Sequence, residues 1–276
     1  MKAFLKYYLY DGFVLAKSYL KLLIWKKQRP IIIHTMAKVG SLSVYNSLKR
    51  TLPTTAIYHT HILDIDKAKA DIQECFDHGI YPGSRSPVVL IQNQIIFKKR
   101  PFKVISLFRD PIDRNISAFF DAFQLYVGVK PQAYIGSLED LEALFHKHLP
   151  YTYPLNWFET IFLKDFDIDV YAFPFDVEKG YATIEKDGKV VLLMNCYVED
   201  VIKEQQIAEF CDLDNFKLTN SNITDHKSSR DLYRAFKDFI RFDRSYLEAH
   251  YNSKYARHFF TETHRNEAMK RWLKLE

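Results

Sequence analysis

The chain has 276 residues, 47% hydrophobic and 26% charged, which supplies material for a real core and excludes a disordered or low-complexity polymer. Three cysteines (Cys75, Cys196, Cys211) show no CxxC or metal-type spacing, so they indicate neither a disulfide scaffold nor a zinc site, and a reducing compartment is expected. A formal net charge of +5 suits an anionic ligand and is too small to imply nucleic acid.

Residues 1–29 mix aliphatic and aromatic residues with lysines. Charges break every apolar run well short of the ~20 residues a membrane span requires, and no signal-peptide core with a small-residue cleavage site is present. Two readings stand: a basic amphipathic helix lying on an anionic membrane, or a helix packed on its own domain. After Pro30, Ile31-Ile32-Ile33-His34-Thr35-Met36 reads as a buried strand. Small and polar residues follow to Ser43, and Val44 to Arg50 reads as a helix that Pro53 stops. Thr55 to Leu63 is expected as a second strand. Asp64 is placed to cap a helix with Ile65, Ala68, Ile72 and Cys75 at helical spacing, ended by Gly79.

Val88 to Gln92 and Val104 to Phe108 are the next expected strands. Asp110 as N-cap and Pro111 in the first turn then open a helix with Ile112, Ile116, Phe119, Phe120 and Phe123 on its buried side. Helical patterns around Leu138 to His148 and Leu155 to Lys164 precede an expected strand at Asp169 to Phe173. Asp187-Gly188 between two β-prone runs signals a hairpin, and helical stretches run on from there. Strands alternating with helices indicate an α/β fold, a mostly parallel sheet flanked by helices with a helical C-terminal part. No linker composition or repeat divides the chain, so residues 30–276 read as one domain behind the segment 1–29.

The chemistry concentrates at strand ends. The first strand delivers Ala37-Lys38-Val39-Gly40-Ser41-Leu42-Ser43 into a helix N-terminus, where unpartnered N–H groups and the macrodipole favour an anion. Gly40 admits a phosphate close to the backbone, Ser41 and Ser43 add hydroxyls, and Lys38 adds a mobile charge. The lysine precedes the only glycine, so the segment is not a Walker loop. An ordinary βα turn would also use small residues here. Val104 to Phe120 places Arg109 at the carboxyl end of a strand, where open α/β sheets bind ligands. Arg114 and Ser117 follow on one helix face. Against a phosphate role, Arg109 and Arg114 could equally pair with Asp110 and Asp113.

The two segments in this order, KVGSLSV and FRDPIDRNISAFF, resemble the sulfotransferases that use 3′-phosphoadenosine 5′-phosphosulfate. The resemblance implies a P-loop-like sulfotransferase architecture. In it Lys38, Val39, Gly40, Ser41, Leu42 and Ser43 would cradle the 5′-phosphosulfate, and Arg109 and Ser117 would hold the 3′-phosphate. Asn156-Trp157-Phe158-Glu159, Asp169-Val170-Tyr171 and the run from Phe175 to Tyr181 resemble a bacterial branch of capsular polysaccharide synthesis proteins with the same core. Lys227 and Arg230 would then offer a late phosphate or adenine contact, unless they are simply a solvated helix start.

Sulfuryl transfer to a hydroxyl needs a base and positive charge on the leaving phosphate. His59 and His61 end the second strand beside the loop and share a strand face. His61 is the expected catalytic base and Lys38 the charge at the leaving group; His59 and then Glu74 are the next candidates for base. No third ligand accompanies the two histidines, so no metal is expected. Asp165-Phe-Asp167-Ile-Asp169 could instead be the metal-binding DxD of a capsule-related nucleotide-sugar glycosyltransferase, and a non-catalytic nucleotide- or glycan-binding protein is a third reading. Asn115-Ile-Ser117 and Asn222-Ile-Thr224 match glycosylation sequons without a secretory signal to give them meaning. The expectation is a cytoplasmic enzyme, membrane-peripheral if residues 1–29 lie on lipid, with a glycan or polysaccharide acceptor and no nucleic-acid partner.

Overall fold

The computed structural model describes residues 5–82, 87–219 and 227–274. Ile31–His34 (β1) is buried at every position, as a strand covered on both faces must be. Phe102–Phe108 (β3) is nearly so. These two are the middle of a five-stranded sheet of order β2-β1-β3-β5-β4, with Ile57–Thr60 as β2, Tyr181–Lys186 as β4 and Lys189–Asn195 as β5. β1 pairs in parallel with β2 (Ile33 opposite His59) and with β3 (Ile33 opposite Ile105), and β3 pairs in parallel with β5 (Phe108 opposite Asn195). Only β4 runs antiparallel, joined to β5 through Asp187 and Gly188, both at positive φ as a two-residue hairpin turn demands.

The chain leaves β1 toward β2 through the helix Ser41–Thr51, then returns past β1 to lay down β3 on its other side. Connections therefore diverge between β1 and β3. That is the switch point at which an open α/β sheet leaves a crevice outside its strand ends.

Two expected strands are helical. Val88–Ile91 is an α-helical turn that runs into a π-helical turn at Gln92–Ile96. Val88, Ile91 and Ile95 are buried while Val89 is half exposed. The spacing of the buried residues is three and four, so the apolar run was the inner face of a helix and not a two-sided strand. Asp169 to Phe173 holds a short 3₁₀ turn, Val170–Ala172, because the Asp169 carboxylate accepts from the Tyr171 N–H at 3.0 Å and curls the backbone. The first two strands are also shorter than expected, ending at His34 and Thr60.

The helices used below are Asp11–Ile24 (α1), Ser41–Thr51 (α2), Ile65–Asp77 (α3), Pro111–Asp121 (α4) and Lys227–Phe239 (α5). Asp64 caps α3 by accepting from Asp66 and Lys67, and Asp110 caps α4 by accepting from Ile112 and Asp113. Apolar side chains form two clusters. One wraps the sheet and includes Trp157, Phe158 and Phe162. The other is helical and aromatic, built from Phe119, Phe145, Phe236 and Trp272. Ile112, Ile116 and Phe119 of α4 belong to the second, each contributing roughly 1.5–3 kcal/mol on burial. The opposite side of α4 is thereby turned toward the strand ends.

α1 packs on the remainder through one side. Asp11 and Leu22 are buried, as is Tyr7 in the π-helical turn Lys6–Tyr10 before it; Tyr81 donates to Asp11, and Arg100 donates to the carbonyls of Leu22, Lys26 and Gln28. Among the described residues no helix is long and apolar enough to cross a membrane.

Candidate functional site

A cleft of about 1160 Å³ opens at the carboxyl ends of β1, β2 and β3. It is lined by Lys38, Val39, Gly40, Ser41, Leu42 and Ser43, by His59 and His61, and by Arg109 and Ser117. The structure thus brings together residues that sequence places in three separate segments.

The loop after β1 turns through two left-handed residues, Lys38 (φ 73°) and Gly40 (φ 81°). Gly40 is the N-cap of α2 and no side chain caps the helix, nor does any acidic residue stand in its first turn. The orphan N–H groups at a helix start are therefore met by no carboxylate of α2 itself. A Cβ on Gly40 would touch nothing within 4 Å, so glycine is required there by the dihedral and not by crowding.

Two arginines pin the loop. Arg109 donates from Nη1 to the Lys38 carbonyl at 3.2 Å, and Arg114 donates from Nε to the neighbouring Ala37 carbonyl at 3.1 Å. Arg114 is buried, with its guanidinium 4.4 Å over the Tyr153 ring and a further bond to Asn115, so its work is to hold the loop from beneath. Arg109 remains at the cleft, with a longer contact (3.4 Å) from Nε to the Tyr197 hydroxyl.

Neither arginine pairs with the adjacent aspartates. Asp110 is consumed by the α4 cap and accepts from Tyr251 at 3.0 Å, with His264 at 3.2 Å. Asp113 takes the Tyr197 hydroxyl at 2.7 Å and the Lys237 ammonium of α5. Burial disfavours the Asp113 charge, but these two partners prevail and hold the carboxyl below the usual range. Among the described residues no carboxylate lies within 4.0 Å of either guanidinium. Lys38 differs: its Nζ meets Asp121 of α4 at 2.8 Å, across the cleft.

His61 lies just past β2. Its Nδ1 sits 2.7 Å from the Thr35 carbonyl. A carbonyl only accepts, so Nδ1 carries the proton and Nε2 keeps a lone pair. His59 uses Nε2 on the Ser41 hydroxyl at 2.8 Å and stacks on Tyr45. The two rings meet edge to face at 4.8 Å. Burial, assisted in His59 by the neighbouring ring, pushes His59 down to about 3 and His61 down to about 4. Both rings are neutral at ordinary pH.

Other candidates fall away from the cleft. Glu74 is exposed on α3 and does not line it. The three aspartates of the DxD reading have separate structural duties. Asp165 is buried against His34 at 3.2 Å and accepts from the Leu63 N–H, Asp167 neighbours Lys186, and Asp169 caps its 3₁₀ turn. Among the described residues no group of three or more metal-type side chains assembles. Asn115 is fully buried and bonded to the Tyr151 carbonyl, so its sequon is a packing residue. Arg230 is exposed, while the Lys227 side chain and Asn222 lie outside the described residues.

Tyr197, Asp121 and Tyr255 were not anticipated. Tyr255 takes both backbone groups of Arg109, receiving its N–H and donating to its carbonyl at 2.6 Å. Tyr197 follows β5 at its carboxyl end, and the strand-end rule that singles out Arg109 applies to it equally once β5 is known to lie beside β3.

Compared with known families, residues 136–261 match the NKWYS family model, described as "Putative capsular polysaccharide synthesis protein". The matched span includes the β4–β5 hairpin and Tyr197, and stops short of α1 to α4. Within it Trp157 and Phe158 are buried in the sheet cluster. No curated protein and no solved structure matches the chain.

Proposed function

We propose that this protein transfers a sulfuryl group from 3′-phosphoadenosine 5′-phosphosulfate to a hydroxyl of a glycan. The observation that carries the reading is Arg109: a half-buried guanidinium at the cleft with no carboxylate within 4.0 Å among the described residues, beside a βα loop whose helix start is uncapped. Asp113 offsets this charge only through space, so an anion in direct contact would stabilise it. The similarity of residues 136–261 to a capsular polysaccharide synthesis family supports a glycan as acceptor. A cleft of about 1160 Å³ has room for a nucleotide and a sugar, since single-ligand pockets run to roughly 300–1,000 Å³.

In this reading Arg109 and Ser117 bind the 3′-phosphate. The N–H groups of the Gly40–Ser43 turn receive the 5′ end. The acceptor oxygen bonds to sulfur as the bond from sulfur to the 5′-phosphate oxygen breaks, leaving 3′-phosphoadenosine 5′-phosphate. The acceptor proton passes to His61 Nε2, which the Thr35 carbonyl has left as the accepting nitrogen. Lys38 leaves Asp121 to neutralise charge that grows on the departing phosphate.

A thermal-shift panel tests this. A ligand at 100-fold excess over its Kd adds about 2.7 kcal/mol to stability. 3′-Phosphoadenosine 5′-phosphate should raise the melting temperature well beyond AMP at the same concentration. A shift with UDP-sugars plus manganese, and none with the bisphosphate, would overturn the reading in favour of glycosyl transfer.

A further inference from the structure

α1 is built inside out. The side it turns to the protein carries Asp11 and Ser18 among its apolar residues, and Asp11, Val14, Leu15 and Ser18 form a wall of the cleft. The opposite side is apolar and open: Phe13 is 69% exposed, Leu20 54% and Ile24 67%. Steps of seven and four residues keep these three on one stripe of the helix, and Leu9, 68% exposed, stands in the π-helical turn Lys6–Tyr10 that leads into it. Tyr10 and Trp25 are also exposed beside it, aromatic residues of the kind that seat at a lipid–water boundary. Lys17 and Lys21 flank the stripe, and Lys21 feels both Lys17 and Lys49, so positive charge is crowded there. Asp11 is the only acidic residue between positions 1 and 29, and it is turned inward to Tyr81.

We infer that this face docks the protein on an anionic lipid surface, with the apolar stripe in the headgroup boundary and the lysines on the phosphates. A second copy is a poor occupant. An isologous pairing would gather Lys17 and Lys21 of both copies into one interface, with no carboxylate on the helix's open face to offset them. Because the other side of the same helix walls the cleft, docking brings the cleft to within about one helix diameter, roughly 10–12 Å, of the lipid. The acceptor is then a saccharide held at the membrane by a lipid anchor. This last step rests on the transfer reading; the docking does not.

The test is co-sedimentation of the full chain with vesicles of equal parts phosphatidylglycerol and phosphatidylcholine, against phosphatidylcholine alone. The protein should pellet with the anionic vesicles and lose most of that binding as salt rises. Phe13→Glu with Leu20→Glu should weaken partitioning by about tenfold or more with the melting temperature unchanged, since both residues are exposed. Lys17→Gln with Lys21→Gln should remove the preference for anionic lipid. Wild-type and glutamate-variant chains pelleting alike would overturn the docking, and so would a dimer in ultracentrifugation that the glutamates convert to monomer. The glutamate variant should transfer to a short soluble saccharide as wild type does and lose transfer to the vesicle-anchored one; equal loss on both would overturn the acceptor assignment. Vesicle binding without transfer to any acceptor would overturn the transfer reading and leave the docking standing.

Discussion

Replacing Arg109 with alanine separates a ligand-binding arginine from a structural one. Its present hydrogen bonds go to the Lys38 carbonyl at 3.2 Å and the Tyr197 hydroxyl at 3.4 Å, the second beyond the usual N–H···O range. Both acceptors are uncharged and the Asp113 carboxylate acts on the guanidinium only through space, so a phosphate would be the first anion to hydrogen-bond it. A hydrogen bond to a charged group contributes about 1.5–3 kcal/mol, and each 1.4 kcal/mol is tenfold in affinity. Arg109→Ala should therefore weaken 3′-phosphoadenosine 5′-phosphate by about 10- to 150-fold in titration calorimetry. AMP, which lacks the 3′-phosphate, should lose almost nothing. Arg109→Lys keeps the charge without the planar fork and should fall between the two. Equal weakening of both nucleotides would refute the reasoning, because it would mean that Arg109 acts only by pinning the loop through the Lys38 carbonyl.

Asp121→Asn should cost little stability, since the Lys38–Asp121 pair is largely exposed and such pairs contribute about 0–1 kcal/mol. It should tighten bisphosphate binding a few-fold in the same titration by releasing Lys38. Lys38→Ala should reduce turnover more than donor affinity, measured as kcat against donor Kd; unchanged kcat would remove Lys38 from the transfer step. His61→Ala should lower turnover by roughly 10²–10⁴-fold, and His59→Ala by less. With His61 pushed down to about 4, the wild-type rate should be flat above about pH 6 and fall only toward pH 4, well below the ordinary imidazole value of about 6.5. Folding stability should show the same histidines. Their folded values lie below the unfolded one, so the unfolded chain binds more protons and stability drops as pH falls from about 6.5 to about 3. Urea titrations across that window should give a shallower drop for the double variant His59→Gln, His61→Gln.

The parts of the fold legible in sequence were those set by local chemistry. Asp64 and Asp110 are capping residues wherever they stand before a helix, and Asp187-Gly188 fits a turn that needs two positive dihedrals. β1 and β3 are legible because short, mostly apolar runs with Val and Ile suit a strand buried on both faces. Val88 to Gln92 carries the same composition, and only the continuation to Ile95 distinguishes a helix face from a strand. For the site, the strand-end positions of Lys38 and Arg109 follow from the alternating pattern. The partners do not. That Asp113 goes to Lys237 and Tyr197, leaving Arg109 without a carboxylate in direct contact, depends on α5 and β5 arriving from far along the chain. The choice between His59 and His61 likewise turns on a carbonyl at Thr35 and a hydroxyl at Ser41, contacts invisible to period-two alternation.

The left-handed backbone of Lys38 has a consequence for any attempt to make this protein more robust. A residue with a Cβ at φ 73° sits about 1–2 kcal/mol above its relaxed state, while glycine adopts that dihedral freely at an entropic cost of about 0.4–1 kcal/mol. Lys38→Gly should therefore unfold at the same temperature as the parent or a higher one, although it deletes the ammonium that faces the cleft. A library sorted on heat resistance alone would enrich that change, and one sorted on turnover would discard it. Opposite selection at this single position would mark the lysine as kept for chemistry at the expense of the scaffold.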